Sequence, residues 1–216
     1  MDLIMTFMAI VIWGLIIFIA SLISSLMAKL KDIGMFFLGM NVQVLHILLS
    51  LLAASVTGNL SRMGFIIEMP LSLTGLLVAV VTGFPLTLLT SKLSEDYKPK
   101  FIPDNAVERL ILSLVFAPLG EEILFRGLLE GMLITSLNLW LAVAIPATLF
   151  SIIHMIPFSD SPRRYLCSLL ISALLLGLLA SYLRDISGSL LPAIAVHFGF
   201  NLSGELVYQL KSADNY

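Results

Sequence analysis

Charge is scarce in this chain. Asp, Glu, Lys and Arg make up 12% of its 216 residues, where a soluble domain carries about 25%. Hydrophobic residues fill 59% of it, and the mean hydropathy is +1.03. So few charges cannot clothe a soluble domain, and the composition predicts a polytopic membrane protein. An excess of basic residues is missing too: the net charge of −2 argues against a nucleic-acid partner. Cysteine is nearly absent. The single Cys167 excludes an intrachain disulfide and a cysteine metal cluster, and it is expected to be an inert core side chain. A basic n-region is also lacking, with Asp2 the only early charge, so the first apolar run is expected to be a retained span, not a cleavable signal.

What the chain does have is a succession of apolar runs of about 20 residues, the length that crosses a bilayer. Seven spans are expected, at about 3–27, 34–56, 70–91, 107–133, 137–157, 165–184 and 188–210. The fold class is therefore all-α: a polytopic transmembrane helix bundle of about seven spans, with a four-helix core. The longest polar stretch, 91–105, holds Lys92, Glu95, Asp96, Lys98, Lys100 and Asp104. It separates a three-span half, 1–100, from a four-span half, 101–216. Seven spans place Lys29, Lys31, Lys92, Lys98, Lys100, Arg109, Arg163, Arg164 and Lys211 on one side, and Arg62, Arg126 and Arg184 on the other. The positive-inside rule then expects the N-terminus outside and the C-terminus in the cytoplasm, in a cell membrane.

Against this apolar background Glu121, Glu122 and Arg126 stand out. A charge at the bilayer centre costs at least about 2.5–3.5 kcal/mol, so each needs a partner, water or a function. On a helix, i and i+4 face each other and i and i+1 do not. Glu122 should therefore lie over Arg126, while Glu121 points about 100° away and stays available for chemistry. Just before them, Pro118 and Gly120 predict a kink or break, which would set both glutamates at a new helix N-terminus. Gly127 and Gly131 form a GxxxG pair suited to close helix approach.

Other polar groups recur at helical spacing. In the second span Asn41, Gln43 and His46 read as interhelical hydrogen bonding, and His46 is left out of the site because no ligand-type residue accompanies it. Phe150 and His154 share a face of the fifth span; alone, His154 would read as a histidine bonded to a neighbouring carbonyl. The sixth span has only hydroxyls and Cys167 as polar side chains and reads as packing. His197 and Asn201 share a face of the seventh, beside a small-residue row of Ala195, Gly199 and Ser203.

Two Glu, one Arg, two His and one Asn on three spans can activate water against a carbonyl: a base, a second titratable group and neutral donors. The HExxH, GxGD and GxSG patterns of other intramembrane hydrolases are absent. A non-enzymatic membrane binding protein and a proton-coupled transporter remain as competing classes.

At this point the chain resembles a known family. Glu121-Glu122-xxx-Arg126, Phe150-xxx-His154 and His197-xxx-Asn201 look like the three motifs of the CPBP family, which comprises CAAX prenyl endopeptidases of the Rce1 type and bacteriocin-processing or self-immunity proteins, also called Abi. The resemblance spans roughly 105–205. It implies an intramembrane endopeptidase acting on a membrane-associated protein or peptide, with non-enzymatic bacteriocin immunity as the alternative. It implies Glu121 as the catalytic glutamate that activates water with His154, His197 and Asn201 as the oxyanion hole, Glu122 and Arg126 as a supporting pair, and Phe150 as a shaper of the cavity. The expected partners are the lipid bilayer and a peptide or protein substrate entering from the membrane or cytoplasm. No cofactor is expected. Such proteins are often labelled metalloproteases, and zinc is the alternative, on Glu121, His154 and His197.

Overall fold

The computed structural model describes residues 2–29, 33–94 and 97–213, with only the backbone at 212 and 213. Lys31, Glu95 and Asp96 of the sequence reading lie outside the described residues. Seven helical rods follow one another: α1 (Leu3–Met27), α2 (Met35–Val56), α3 (Met69–Lys92), α4 (106–133), α5 (Leu139–Ile153), α6 (Arg163–Ser187) and α7 (Leu191–Ala213). Among the described residues there is no strand, and the fold is all-α as expected.

The rods start where short polar side chains can take the first free backbone N–H groups. Asp2 accepts from Ile4 and Met5 at 3.1 and 3.2 Å, Asn105 from Val107 and Glu108 at 2.9 and 3.2 Å, and Asn138 from Leu141 at 3.1 Å. Glu68 caps α3 at Leu71, with Pro70 in the first turn. Gly188, at φ +65°, ends α6 and lets the chain reverse into α7.

Contacts between loops fix the up-and-down order. At one end the Asp2 amide donates to Ser136 O, and the Leu190 amide to Gly64 O at 2.7 Å. At the other, Tyr97 meets Tyr165, Phe101 meets Phe158 edge-on, and Lys211 donates to Ser91 O. Each helix thus runs opposite to the one before it.

Polarity is inverted relative to a soluble fold. Glu122, Arg126 and Glu130 are fully buried, while Leu3, Phe7, Leu15, Phe18, Leu52 and Leu77 are exposed on the outside of the bundle. Only an apolar solvent makes that distribution favourable, so the protein is an integral membrane protein. Helices α1, α2, α3 and α6 are long and apolar enough to cross a bilayer, whereas α5 is an apolar helix of 15 residues.

Packing follows the small residues. The predicted row on α7 meets α3: a Cβ on Gly199 would stand 2.8 Å from Ala79 Cβ and 3.0 Å from Leu76 O, and Ser203 Oγ donates to Val80 O. The GxxxG pair on α4 behaves otherwise. Gly131 and Gly127 admit not a helix but the 57–68 connection, whose Arg62 O and Met63 Cε would lie 2.9 and 3.1 Å from an added Cβ.

Four local expectations are corrected. Helix α4 does not break at Pro118–Gly120. It stays helical throughout, with π-helical turns at Leu112–Phe116 and Ile123–Glu130 on either side of Ala117–Glu122, so the glutamates sit mid-helix, not at a new N-terminus. The wide turn before Pro118 relieves the clash that its ring would make with an α-helical carbonyl. Helix α5 ends at Ile153, short of the expected 157. Pro157 has no amide proton to continue it, and His154 Nδ1 takes the Phe150 carbonyl while the His154 amide drops back to Ser151 O. Cys167 is exposed on the outer face of the bundle and is not a core residue. Arg184 is no loop charge: it lies buried within α6, which is therefore more than a packing span.

Candidate active site

Helix α4 carries the centre. Arg126 Nη1 donates to Glu122 Oε1 at 3.1 Å, both side chains being 0% exposed. The rest of the guanidinium is also occupied: Nη2 donates to Gly177 O at 3.1 Å and Nε to Ser181 Oγ at 3.3 Å. Its plane lies over the Phe150 ring, 4.7 Å from the centroid. Gly177 permits that approach, since a Cβ there would stand 3.1 Å from Arg126 Nη2. The i,i+4 pairing expected from spacing is thus present.

Helix α7 brings His197 to both glutamates. Its Nδ1 lies 2.7 Å from Glu122 Oε1. That carboxylate oxygen can only accept, so Nδ1 carries the proton and donates. Nε2 then points to the other acid, 3.9 Å from Glu121 Oε2. Glu121 keeps 19% side-chain exposure. Of the two adjacent carboxylates, one is sealed and bound by Arg126 and His197, and the other is open.

Helix α5 supplies Phe150 and His154. Phe150 is the hub: its ring centroid is 4.7 Å from that of His154, 5.6 Å from that of His197 and 5.2 Å from that of Phe125. His154 Nδ1 is held by Phe150 O at 2.7 Å, donating to it, so Nε2 presents a lone pair in the neutral ring. Among the described residues no hydrogen bond or ion pair joins His154 directly to Glu121; Phe150 links the two histidines.

Asn201 lies one turn along α7 from His197. Its Nδ2 donates to Ser113 O at 2.7 Å. One amide hydrogen is thereby spent on the backbone of α4, and one of the two remains. Glu205, a further turn along, accepts from Arg109 Nε at 3.0 Å, and Arg109 also covers the Tyr208 ring. His197, Asn201 and Glu205 form a polar stripe that clasps α7 to α4.

Sequence reasoning missed three things. Gln43 of α2 reaches the centre, where its Nε2 donates to Glu121 Oε1 at 3.0 Å. His46 on the same face is buried as well. The signal was present: Gln43, His46 and Ser50 lie at i, i+3 and i+7 on a span. A second acid–base pair lies deeper, with Glu130 Oε1 3.8 Å from Arg184 Nε and Arg184 Nη2 donating to Arg62 O. Glu130 is four residues beyond Arg126, a spacing that could have exposed it. Glu205 is the third.

Among the described residues, no three His, Cys, Asp or Glu side chains are grouped so as to hold a metal ion. Glu121, His154 and His197 therefore do not converge as a zinc ligand set.

The inverted polarity and the buried acid–base centre define an all-helical integral membrane protein. A family model described as "Type II CAAX prenyl endopeptidase Rce1-like" matches residues 103–203, a segment that runs from just before α4 into α7 and contains all three motifs. The resemblance to the Rce1-type, CPBP-like proteins holds over that segment, and it supports a CAAX-type intramembrane endopeptidase as the general class of activity. No curated protein and no solved structure matches the chain.

Proposed function

We propose that the protein is a glutamate-type intramembrane endopeptidase that cleaves a peptide bond of a membrane-associated protein or peptide. The observation that carries this is the unequal treatment of two neighbouring acids: Glu122 is sealed against Arg126 and His197, while Glu121 stays partly open with His197 Nε2 facing it. In the proposed mechanism Glu121 takes a proton from water as the water attacks the scissile carbonyl, and the Nε2 lone pair of His154 helps to orient that water. His197 carries protons on both nitrogens in this role. Nδ1–H stays on Glu122, and Nε2–H is offered to the tetrahedral oxyanion together with the remaining hydrogen of Asn201. Glu121 then passes its proton to the leaving amine. Glu122 and Arg126 hold His197, and Phe150 keeps the two rings and the guanidinium in register. No step requires a metal.

The substrate enters from the bilayer or the cytoplasm, and the chain sits in the cell membrane with its N-terminus outside. The family name points to a segment ending in a prenylated CAAX box as the first substrate class to try. The test is comparative peptidomics of membranes holding the wild-type chain or Glu121→Gln. Fragments found only with the wild type identify the substrate and bond. Identical fragment sets, with both proteins folded and present at equal levels, would remove Glu121 as the base.

A further inference from the structure

Helix α2 lies wholly outside the segment that matches the family model, yet it forms one wall of the site. Its inward face is Gln43, His46, Ser50 and Ala54, spaced i, i+3, i+7 and i+11. Three of these four are polar, in a helix whose outer side exposes Leu48, Leu52 and Val56. The close approach is set at Gly120, the residue before the glutamates: a Cβ there would stand 2.9 Å from Gln43 Cα, a distance real Cβ contacts do not show. Glycine at 120 is what allows α2 to lie against α4 at this height.

That approach delivers the Gln43 amide to Glu121 Oε1 at 3.0 Å. A carboxylate only accepts, so the Nε2 end of the amide must be the one that faces it. The contact is 78 residues distant in sequence, and Gln43 is nine-tenths buried. Among the described residues Glu121 makes no pair with an arginine, so this amide is the directional contact that holds its Oε1 and leaves Oε2 facing His197 Nε2. Gln43 Oε1, both nitrogens of His46 and Glu122 Oε2 have no protein partner among the described residues. Buried polar atoms of this kind are satisfied by ordered water or by a ligand. Two of them belong to residues next to Glu121: Gln43, which donates to it, and Glu122, which follows it in the chain.

We infer that Gln43 is a positioning residue for Glu121, so that the N-terminal helices complete the site and α4 to α7 alone do not. The inference rests on the reading of Glu121 as the base. Without the amide, the carboxylate can rotate about its last side-chain bonds, and Oε2 loses its fixed direction. Misplacing a reacting group by about 1 Å lowers rates by up to about 10²-fold. Because Gln43 acts on orientation, its loss should lower the rate of cleavage and leave substrate capture nearly unchanged.

The experiment uses the full chain in native membranes, with Glu121→Gln as the zero of activity and the wild-type-specific peptide products as the readout. Gln43→Met keeps the shape and removes the donor. Gln43→His restores an N–H at nearly the place of the original. The expected result is product formation slowed roughly tenfold to a hundredfold in Gln43→Met, at unchanged protein level and melting temperature, and largely restored in Gln43→His. Full-rate cleavage by Gln43→Met beside an inactive Glu121→Gln would overturn the role of α2 and leave the base assignment standing. Equal losses in the Met and His variants would show that the N–H is not what matters, and would also overturn it. If Glu121→Gln makes the same products as wild type, the base reading fails and takes this inference with it.

Discussion

Asn201 supplies the proton that Pro118 lacks. In the wide turn Leu112–Phe116 the Ala117 amide passes over Ser113 and donates to Leu112 O. The next amide that could reach Ser113 O belongs to residue 118, a proline with no N–H. Asn201 Nδ2 takes that place at 2.7 Å. A side chain of the third motif thus completes the backbone of the helix that carries the first.

This match has a thermodynamic signature. Asn201→Leu leaves the Ser113 carbonyl unpaired and is expected to destabilise the protein by about 1–3 kcal/mol. Pro118→Ala returns an amide that can serve Ser113 O, so the loss from Asn201→Leu should shrink in that background. A double-mutant cycle on unfolding in detergent measures it. Strictly additive losses would mean that the two residues do not share the carbonyl.

The central ion pair gives a second prediction. Arg126→Met takes the arginine from Glu122, which stays at zero exposure against His197, and is expected to destabilise by about 3–5 kcal/mol. Adding Glu122→Gln should recover much of that, because a neutral amide is cheaper to bury than a carboxylate that has lost its arginine. Arg184→Met with and without Glu130→Gln should repeat the pattern at the deeper pair. Thermal melting in detergent decides it; an Arg126→Met protein as stable as wild type would contradict the buried pairing.

Orientation is the third. Lys98, Lys100, Arg163, Arg164 and Lys211 gather at one end of the bundle, and Arg62 sits at the other. Reporter fusions after Lys100 and Lys211 are expected to read as cytoplasmic, and one after Arg62 as external. A cytoplasmic signal at Arg62 would invert the proposed topology.

Metal dependence is the fourth. Cleavage is expected to persist in excess chelator, and purified active protein is expected to hold no stoichiometric zinc. Zinc at one per chain, whose removal and return switch activity off and on, would refute the proposed chemistry.

The helices were legible because each depends on one local property, a run of apolar residues, and most of their ends on capping residues beside them. Glu122 with Arg126 was legible for the same reason: both lie on one helix, four residues apart. Gln43 with Glu121 was not, because nothing in the spacing of α2 says which helix its polar face will meet. The continuity of α4 through Pro118 was hidden likewise. A proline predicts a break from local rules, and only the widened turn and a side chain from α7 make it tolerable. Arg184 was misplaced because a charge near the end of an apolar run reads as a loop residue until its buried acid, Glu130, is known.

Helix α5 has only 15 residues, a rise of about 22 Å, against a hydrocarbon layer of about 30 Å. The segment that follows it, with the exposed Met155 and Ile156, continues as turns. A short span is accommodated by thinning of the bilayer beside it, by snorkelling of flanking residues or by oligomerisation. The shortfall is roughly 8 Å, on the helix that ends at His154. Thinning there is expected to bring the aqueous boundary closer to His154. Lipids of different chain length should tune the rate of hydrolysis from outside the protein.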